Sequence, residues 1–263
     1  MCVEMSLVNK SALITGATGG IGHAICREFL KHGVKNLAIV DLHPQEPKIV
    51  GDLRREFEDV SVRYYQVDVA SHDEIEKCYE EFTKVIPSLD IVVNCAGIFN
   101  ESQYHAVVNV NLNGVIGSTR LAIDHMNVST GRGKGGCVIN IASIAGLTTL
   151  SCTPTYSATK QGVIAYTRAV AFKREKLGIK FLTICPGATQ SQMYDQSAKP
   201  EFFFMSSAEE VQGFLDRFPK QQAQNPCEIG KAAVKIIKEA ANGSVWIVDR
   251  GELSEAHVAD PIF

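Results

Sequence analysis

The chain has 263 residues, 45% of them hydrophobic and 21% charged, a balance typical of a soluble globular protein. Its net charge of −3 and pI near 6.2 argue against a polyanion-binding surface, so nucleic acid is not an expected partner. No apolar run reaches about 18 residues and the first residues lack a signal-peptide pattern, so we expect a cytoplasmic protein without membrane contact. The eight cysteines show no C-x-x-C spacing and no metal-like pairing with the seven histidines, which predicts free thiols and no metal site.

Short apolar segments alternate with amphipathic segments along the whole chain. The apolar segments predict strands over residues 12–14, 37–40, 62–67, 89–93, 136–142, 181–185 and 245–248. Among the predicted helices, the first ends near Gly33, another spans about 104–126, and a late one begins at Asn225. The polar stretch 44–59 is predicted to be a connection. This alternation predicts one α/β domain over residues 1–263, with a doubly wound parallel sheet of about seven strands and helices on both faces.

A glycine-rich turn follows the first predicted strand. Gly16, Gly20 and Gly22 would let the backbone approach a pyrophosphate, at which the N–H groups of the next helix point. Asp41 ends the second strand, where it would accept bonds from the ribose hydroxyls of adenosine and repel a 2′-phosphate. No lysine or arginine stands in the turn or just after Asp41, and His43 is the nearest possible cation, so NAD is predicted rather than NADP. The alternative for Asp41 is a solvated turn residue.

A tyrosine and a lysine, four residues apart, follow the fifth predicted strand. On a helix, Tyr156 and Lys160 would lie on one face, and a nearby ammonium could lower the pKa of the phenol by ~3 units. Ser143 comes directly after the strand, at the edge of the sheet where open α/β sheets bind ligands. A hydroxyl beside a phenolate is suited to removing a proton from an alcohol. An amphipathic helix can also carry this spacing by chance.

A long segment, residues 190–224, separates the sixth predicted strand from the late helix, and it is too long for a simple connection. We predict a short helix over about 208–218 within it. Its apolar and aromatic residues include Met193, Tyr194, Phe202, Phe203, Phe204, Met205, Phe214, Leu215 and Phe218. One interpretation is a mobile lid over the nicotinamide, since the segment begins just after Pro186-Gly187. The other is that the short helix simply packs these side chains against the domain.

Taken together, these motifs resemble those of the short-chain dehydrogenase/reductase family, and the resemblance covers essentially the whole chain. The glycine turn T-G-x-x-x-G-x-G of the family is matched by residues 15–22. Its N-N-A-G motif appears as residues 94–97, with Cys95 in place of the second asparagine. The ending 242–249 is similar to insect-type alcohol dehydrogenases and to 15-hydroxyprostaglandin dehydrogenases. The resemblance implies a Rossmann-type fold and an NAD cofactor.

The resemblance also implies a role for each site residue. Tyr156 would be the general base in oxidation and the acid in reduction, while Lys160 would lower its pKa and hold the nicotinamide ribose. Ser143 would orient the substrate oxygen. Asn111 would interrupt a helix and hold a relay water, although a helix surface residue is the alternative. Substrate contacts are expected at Ser143, Tyr156 and Met193. The implied cofactor contacts are Gly16, Thr18, Gly20, Ile21, Gly22, Asp41, Asp68, Val69, Asn94, Ala96, Gly97, Tyr156, Lys160, Pro186, Gly187 and Thr189.

The expected activity is therefore the NAD-dependent interconversion of an alcohol and its carbonyl. The apolar residues of the 190–224 segment favour a lipophilic, secondary or terpenoid-like alcohol. One alternative is an NADPH-dependent carbonyl reductase, and another is a catalytically idle binding or storage protein on the same fold. Family members commonly pair the helices that carry Asn111 and Tyr156. The mixed face with Val163, Ile164, Tyr166 and Phe172 is compatible with that contact, so we expect a homodimer or homotetramer.

Overall fold

A computed structural model describes residues 5–148, 150–196, 200–204, 206–217 and 219–259. Its centre is an eight-stranded sheet with the order β3-β2-β1-β4-β5-β6-β7-β8. The strands are β1 (Ser11–Thr15), β2 (Asn36–Asp41), β3 (Ser61–Gln66), β4 (Ile91–Asn94), β5 (Gly136–Ile141), β6 (Ile179–Pro186), β7 (Val245–Asp249) and β8 (Glu252–Glu255). Neighbouring strands from β3 to β7 run parallel, and β8 runs antiparallel to β7.

Helices cover both faces of the sheet, which confirms the predicted architecture. They are α1 (Gly20–Lys31), α2 (Lys48–Glu56), α3 (His72–Thr83), α4 (Tyr104–Val108), α5 (Gly114–Met126), α6 (Pro154–Ala171), α7 (Arg174–Leu177), α8 (Gln192–Gln196), α9 (Ala208–Arg217) and α10 (Pro226–Glu239). On one face, Phe29 of α1 and Ile236 of α10 share an apolar cluster with Leu53 of α2. On the other face, Phe82 of α3 packs in a cluster with Leu121 of α5.

The central strands are buried on both faces because both faces carry helices. Every residue of β1, β4 and β6 is buried, which explains why these strands appear as continuous apolar runs in the sequence. β1 pairs with β2 on one side and with β4 on the other, so the direction of winding reverses between β1 and β4. In open α/β sheets, ligands bind outside the carboxyl ends of the strands at such a reversal.

Two local features, α2 and the eighth strand, differ from the sequence prediction, and a third agrees with the interruption at Asn111 that the resemblance implied. The polar stretch 44–59 contains α2, whose buried apolar residues are only Val50 and Leu53, too few to give a clear helical period. The predicted helix 104–126 is interrupted by one turn of π-helix, Asn109–Asn113. The eighth strand was not predicted, because its residues are largely exposed and lack apolar alternation.

The eighth strand depends on a tight turn. Arg250 and Gly251 both have positive φ, at 51° and 79°, the backbone conformation that a two-residue hairpin requires.

Two further findings concern membrane contact and the cysteines. No described helix is long and apolar enough to cross a membrane. The seven described cysteines are all free thiols.

Candidate active site

A cavity of about 860 Å³ opens at the carboxyl ends of the central strands, where the winding reverses. The predicted site residues that line it are Gly16, Thr18, Gly20, Ile21, Gly22, Asp41, Asp68, Val69, Ala96, Gly97, Ser143, Tyr156, Lys160, Pro186, Gly187, Thr189 and Met193. The fold therefore gathers residues from most of the chain into one cavity. Asn94 and Asn111 lie behind its wall, where both are buried.

The glycine turn is packed so closely that a side chain cannot replace Gly16 or Gly22. Gly16 has a φ of +63°, and a Cβ there would lie 2.6 Å from the Cα of Ala96. A Cβ on Gly22 would collide with the carbonyl oxygen of Gly16. Helix α1 begins at this turn with Gly19 as its N-cap, so no side chain caps the first N–H groups. Uncapped N–H groups at the start of a helix suit an anion such as a pyrophosphate.

Asp41 is bound to the glycine turn rather than free in solvent. Its Oδ2 accepts hydrogen bonds from the Thr18 backbone N–H at 2.9 Å and from the Thr18 hydroxyl at 2.6 Å. Its Oδ1 accepts one from the backbone N–H of Leu42 at 2.8 Å. These bonds hold a negative charge at one end of the cavity. His43 lines the same region.

Tyr156 and Lys160 lie one turn apart on α6, with both side chains in the cavity wall. The Nζ of Lys160 is 5.7 Å from the centroid of the Tyr156 ring and donates a hydrogen bond to the carbonyl oxygen of Ile141 at 3.0 Å. The hydroxyl of Ser143 accepts from the backbone N–H of Ala145 at 3.1 Å and lies in the cavity wall near the phenol of Tyr156. Phenol, ammonium and hydroxyl thus form the group predicted from their spacing.

Burial controls the protonation of this group. It raises the pKa of Tyr156 to about 12, and the hydrogen bond from Ser143 only partly offsets that rise. Burial also lowers the pKa of Lys160 to about 8. The sequence argument expected the ammonium to lower the pKa of the phenol. In this structure the pKa moves the other way, because desolvation of the phenolate is the larger effect.

Asn111 occupies the interrupted part of the long helix and is 0% exposed, so the helix-surface alternative is wrong. Its Oδ1 accepts from the backbone N–H of Ile98 at 2.8 Å, and its Nδ2 donates to the carbonyl oxygen of Ile98 at 2.9 Å. A Cβ on Gly97 would lie 3.4 Å from that Oδ1 and 3.5 Å from the Nζ of Lys160. Asn111 therefore fixes the loop against which Lys160 lies.

Asn94 is buried behind the cavity wall, whereas the other predicted cofactor contacts line the cavity. Its Nδ2 donates to the Oδ1 of Asn140 at 2.8 Å and to the hydroxyl of Thr119 at 3.1 Å, which ties β4 to β5 and α5. The loop after β4 is held instead by Thr15, whose hydroxyl oxygen accepts from the backbone N–H groups of Cys95 and Ala96 at 3.2 Å each.

An aromatic series extends from Tyr156 into the 190–224 segment. Phe99 packs edge-on against Tyr156 with ring centroids 5.3 Å apart and against Phe203 at 5.6 Å, and Phe203 packs against Phe214 at 5.3 Å. Phe203 is 7% exposed and Phe204 is 50% exposed, so consecutive phenylalanines point in different directions. Met193, Tyr194, Phe202, Phe214 and Leu215 line the cavity. Met205 and Phe218 lie outside the described residues.

Sequence reasoning missed two residues at this site, Phe99 and Glu101. Glu101 is buried, and its carboxylate accepts hydrogen bonds from the backbone N–H groups at the start of α6. No sequence signal could identify either residue, since their partners are more than fifty positions away along the chain.

Comparison with known proteins agrees with this geometry. A family model described as short chain dehydrogenase matches residues 10–201. The 15-hydroxyprostaglandin dehydrogenase [NAD(+)] of Rattus norvegicus is 32% identical over 247 residues, which are 92% of this chain and 91% of the rat protein. Alcohol dehydrogenase 1 of Ceratitis cosyra is 28% identical over 253 residues, 95% of this chain and 96% of the fly protein.

A solved structure of levodione reductase has the same fold, with a TM-score of 0.78 and 24% identity over 93% of this chain and 97% of that one. The predicted resemblance, including that to the two named groups of dehydrogenases, is thus confirmed. The chain belongs to the short-chain dehydrogenase family of oxidoreductases.

Proposed function

We propose that this protein oxidises a lipophilic alcohol to its carbonyl with NAD, and that Tyr156 is the general base. One observation carries the proposal: Tyr156, Ser143 and Lys160 line one wall of the same cavity that holds the glycine turn and Asp41. We further propose that residues 1–263 form a single cofactor-binding domain in which residues 190–224 act as the lid.

The residues fit a dinucleotide. Gly16 packs directly against the backbone of Ala96, and the N–H groups at the start of α1 carry no side-chain cap, so they could bind a pyrophosphate. Asp41 would hold the adenosine ribose, and Tyr156 and Lys160 would hold the nicotinamide ribose. The remaining proposed contacts are Thr18, Gly20, Ile21 and Gly22 for the pyrophosphate, Asp68 and Val69 for the adenine, Asn94, Ala96 and Gly97 beside the cofactor, and Pro186, Gly187 and Thr189 for the nicotinamide end. When bound, NAD supplies the hydride acceptor.

The chain itself supplies the proton chemistry. The Ser143 hydroxyl would hold the substrate oxygen beside the Tyr156 phenol, since both side chains line the same part of the cavity. The substrate hydroxyl would give its proton to the Tyr156 oxygen as the carbonyl forms. Lys160 is kept in place by the carbonyl oxygen of Ile141 with its Nζ 5.7 Å from the centroid of the Tyr156 ring, and its positive charge would have to offset the rise in pKa that burial causes. Asn111 supports the proton relay by holding the Ile98 loop.

The cofactor preference rests on charge. The carboxylate of Asp41, held by its bonds to Thr18, would repel the 2′-phosphate of NADP if the adenosine ribose lies beside it. The similar rat dehydrogenase is named for NAD(+). An NADPH-dependent carbonyl reductase is the competing activity, and a purified protein with a higher kcat/KM for NADPH would establish it. Any measurable turnover excludes an idle binding protein.

The substrate preference rests on the aromatic series. Phe99 and Phe214 line the cavity next to the Tyr156 ring, with Phe203 packed behind them, so an alcohol at the phenol would extend along apolar surface. Each buried CH₂ contributes about 0.8 kcal/mol, which favours a medium-to-large secondary or terpenoid-like alcohol over ethanol. The test is NADH formation with primary, secondary, terpenoid and steroid alcohols. Efficiency that does not rise with size would contradict the lipophilic pocket.

We also propose that the protein acts as a homodimer or homotetramer in the cytoplasm. Phe172 at the end of α6 is 65% exposed and Tyr104 at the start of α4 is 52% exposed, which leaves large apolar groups for a contact between copies. Sedimentation at micromolar concentration should show a species of at least twice the 28.7 kDa chain mass. A single species of chain mass would exclude this assembly.

A further inference from the structure

The helix that carries Tyr156 begins without a cap from its own sequence. Thr153 is the N-cap residue of α6, but its side chain makes no capping bond, and Pro154 has no N–H group. The next two N–H groups, those of Thr155 and Tyr156, donate to the two carboxylate oxygens of Glu101 at 2.9 and 2.8 Å. The N–H of Ser157 then reaches the carbonyl oxygen of Thr153 at 2.9 Å. One carboxylate therefore binds both donors that the helix start leaves open.

Glu101 comes from a distant loop, which makes this cap a tertiary contact. It begins the short turn Glu101–Gln103 after β4, and the side chain of Asn100 shapes that turn by accepting from the N–H of Ser102 at 3.0 Å. Glu101 is 3% exposed, and burying a carboxylate is costly unless hydrogen bonds compensate for it. The two N–H donors and the positive end of the α6 dipole provide that compensation.

The same loop also contacts the phenol ring. Phe99 packs edge-on against Tyr156 from two residues before Glu101. Thus the backbone of Tyr156 is held through Glu101 and its ring through Phe99, while its hydroxyl meets Ser143. The hydroxyl of Ser102 in turn donates to the carbonyl oxygen of Glu201 at 2.6 Å, which links this loop to the 190–224 segment.

We propose that Glu101 is a positioning residue for catalysis: its carboxylate fixes the first turn of α6, so that the Tyr156 hydroxyl stays beside Ser143. This inference rests on the proposed function, since it requires Tyr156 to be the acid–base group. A small displacement of a catalytic group is enough to lower the rate greatly. Glu101 therefore affects the chemical step more than it affects cofactor binding.

The test compares Glu101→Gln and Glu101→Asp with Asn242→Ala. Glutamine keeps the shape but has one acceptor oxygen, and its NH₂ group would face a backbone N–H. Aspartate keeps the charge on a shorter side chain. Asn242 is the matched control, because its Nδ2 donates to the carbonyl oxygen of Ala171 at the opposite end of the same helix, at 2.8 Å. Measurements are kcat, KM, NADH dissociation constant, Tm and the pH profile of kcat.

We expect kcat to fall about tenfold or more in Glu101→Gln and by a smaller factor in Glu101→Asp, with NADH affinity within about twofold of wild type. The pH at which kcat rises should move upward, because a phenol that moves away from Ser143 loses a neighbour that lowers its pKa. Asn242→Ala should lose thermal stability with kcat and pH profile unchanged.

The outcomes separate this inference from the proposed function. If Tyr156→Phe abolishes turnover while both Glu101 variants keep wild-type kcat and pH profile, Glu101 is only a helix cap and the inference is wrong. If Asn242→Ala loses kcat as much as Glu101→Gln at equal Tm, the effect is one of stability and the inference is again wrong. If Glu101→Gln does not fold, the Glu101→Asp profile decides. Full activity in Tyr156→Phe would overturn the proposed function itself.

Discussion

The two ends of the cavity are built in different ways. Around the glycine turn, backbone packs against backbone, as where Gly16 meets Ala96, and the one charged side chain there, Asp41, has three hydrogen bonds. The 190–224 segment instead consists of short helices, and among its described residues only Phe203, Val211, Ala223 and Gln224 are buried. Position is therefore specified at the first end by close contacts that leave no room for a Cβ at Gly16 or Gly22. At the second end, we propose, a few apolar side chains decide which substrate fits.

The largest loss of activity is expected from a change at Tyr156, which lies where the two ends of the cavity meet. Tyr156→Phe keeps the ring and its contact with Phe99 but removes the acid–base group, so turnover should fall at least ~100-fold. NAD binding should change little, because the glycine turn and Asp41 remain. Steady-state kinetics with a titration of NADH measures both quantities. A wild-type rate in this variant would remove Tyr156 from the mechanism.

This junction also shows what the sequence could predict. The positions of Ser143, Tyr156 and Lys160 followed from a strand end and a helical spacing, because both are local properties of the chain. Glu101 and Phe99 could not be predicted, since each acts through a partner that only the folded topology brings near. The pKa of the phenol was also predicted in the wrong direction, because burial is a property of the whole fold.

The secondary-structure elements also differ in whether local sequence or the folded topology determines them. Buried parallel strands are visible as apolar runs, so the sheet from β1 to β7 could be predicted from the sequence. The exposed β8 could not, because it depends on the positive φ angles of Arg250 and Gly251. The π-turn around Asn111 keeps an apolar pattern close to that of a helix, so only the resemblance pointed to an interruption there.

A second prediction concerns the buried charge of Lys160. Burial lowers the pKa of Lys160 from 10.5 to about 8 in the folded protein. Below pH 8 the side chain is charged in both the folded and the unfolded state, and burying that charge destabilises the folded state. As the pH rises from about 8 to 10.5, the unfolded chain still binds the proton and the folded chain does not, so this contribution to stability increases. Relative to Lys160→Met, wild type should gain about 2 kcal/mol in unfolding free energy between about pH 7 and 9.5.

Denaturant unfolding across that pH range measures the difference between the two proteins. Lys77→Met is the control, because the Lys77 side chain is 76% exposed and its variant should follow wild type at every pH. A difference between wild type and Lys160→Met that stays constant with pH would mean that Lys160 is not desolvated.

A third prediction tests the charge at the adenosine end. Asp41→Asn removes the negative charge but keeps an acceptor for Thr18, whereas Asp41→Ala removes both. Both variants should raise the ratio of kcat/KM for NADP to that for NAD by about tenfold, which corresponds to about 1.4 kcal/mol. Only the alanine variant should also bind NAD more weakly, because the turn loses its anchor. An unchanged ratio in the asparagine variant would show that Asp41 does not face the 2′ position.

The smallest expected effect belongs to the 190–224 segment. Phe203 is buried behind the cavity wall and packs against Phe99 and Phe214, which line the cavity, so Phe203→Ala removes the support of this wall without changing Tyr156 or the glycine turn. If this wall selects the substrate, kcat/KM should rise with chain length from about two to ten carbons in wild type, since each buried CH₂ contributes about 0.8 kcal/mol. In Phe203→Ala the slope should flatten, with a several-fold loss for the longest alcohols and little change for the shortest. Phe204→Ala is the matched control, because the neighbouring Phe204 is half exposed, and its slope should equal that of wild type. Equal slopes in all three proteins would mean that the 190–224 segment only packs on the domain and takes no part in selecting the alcohol.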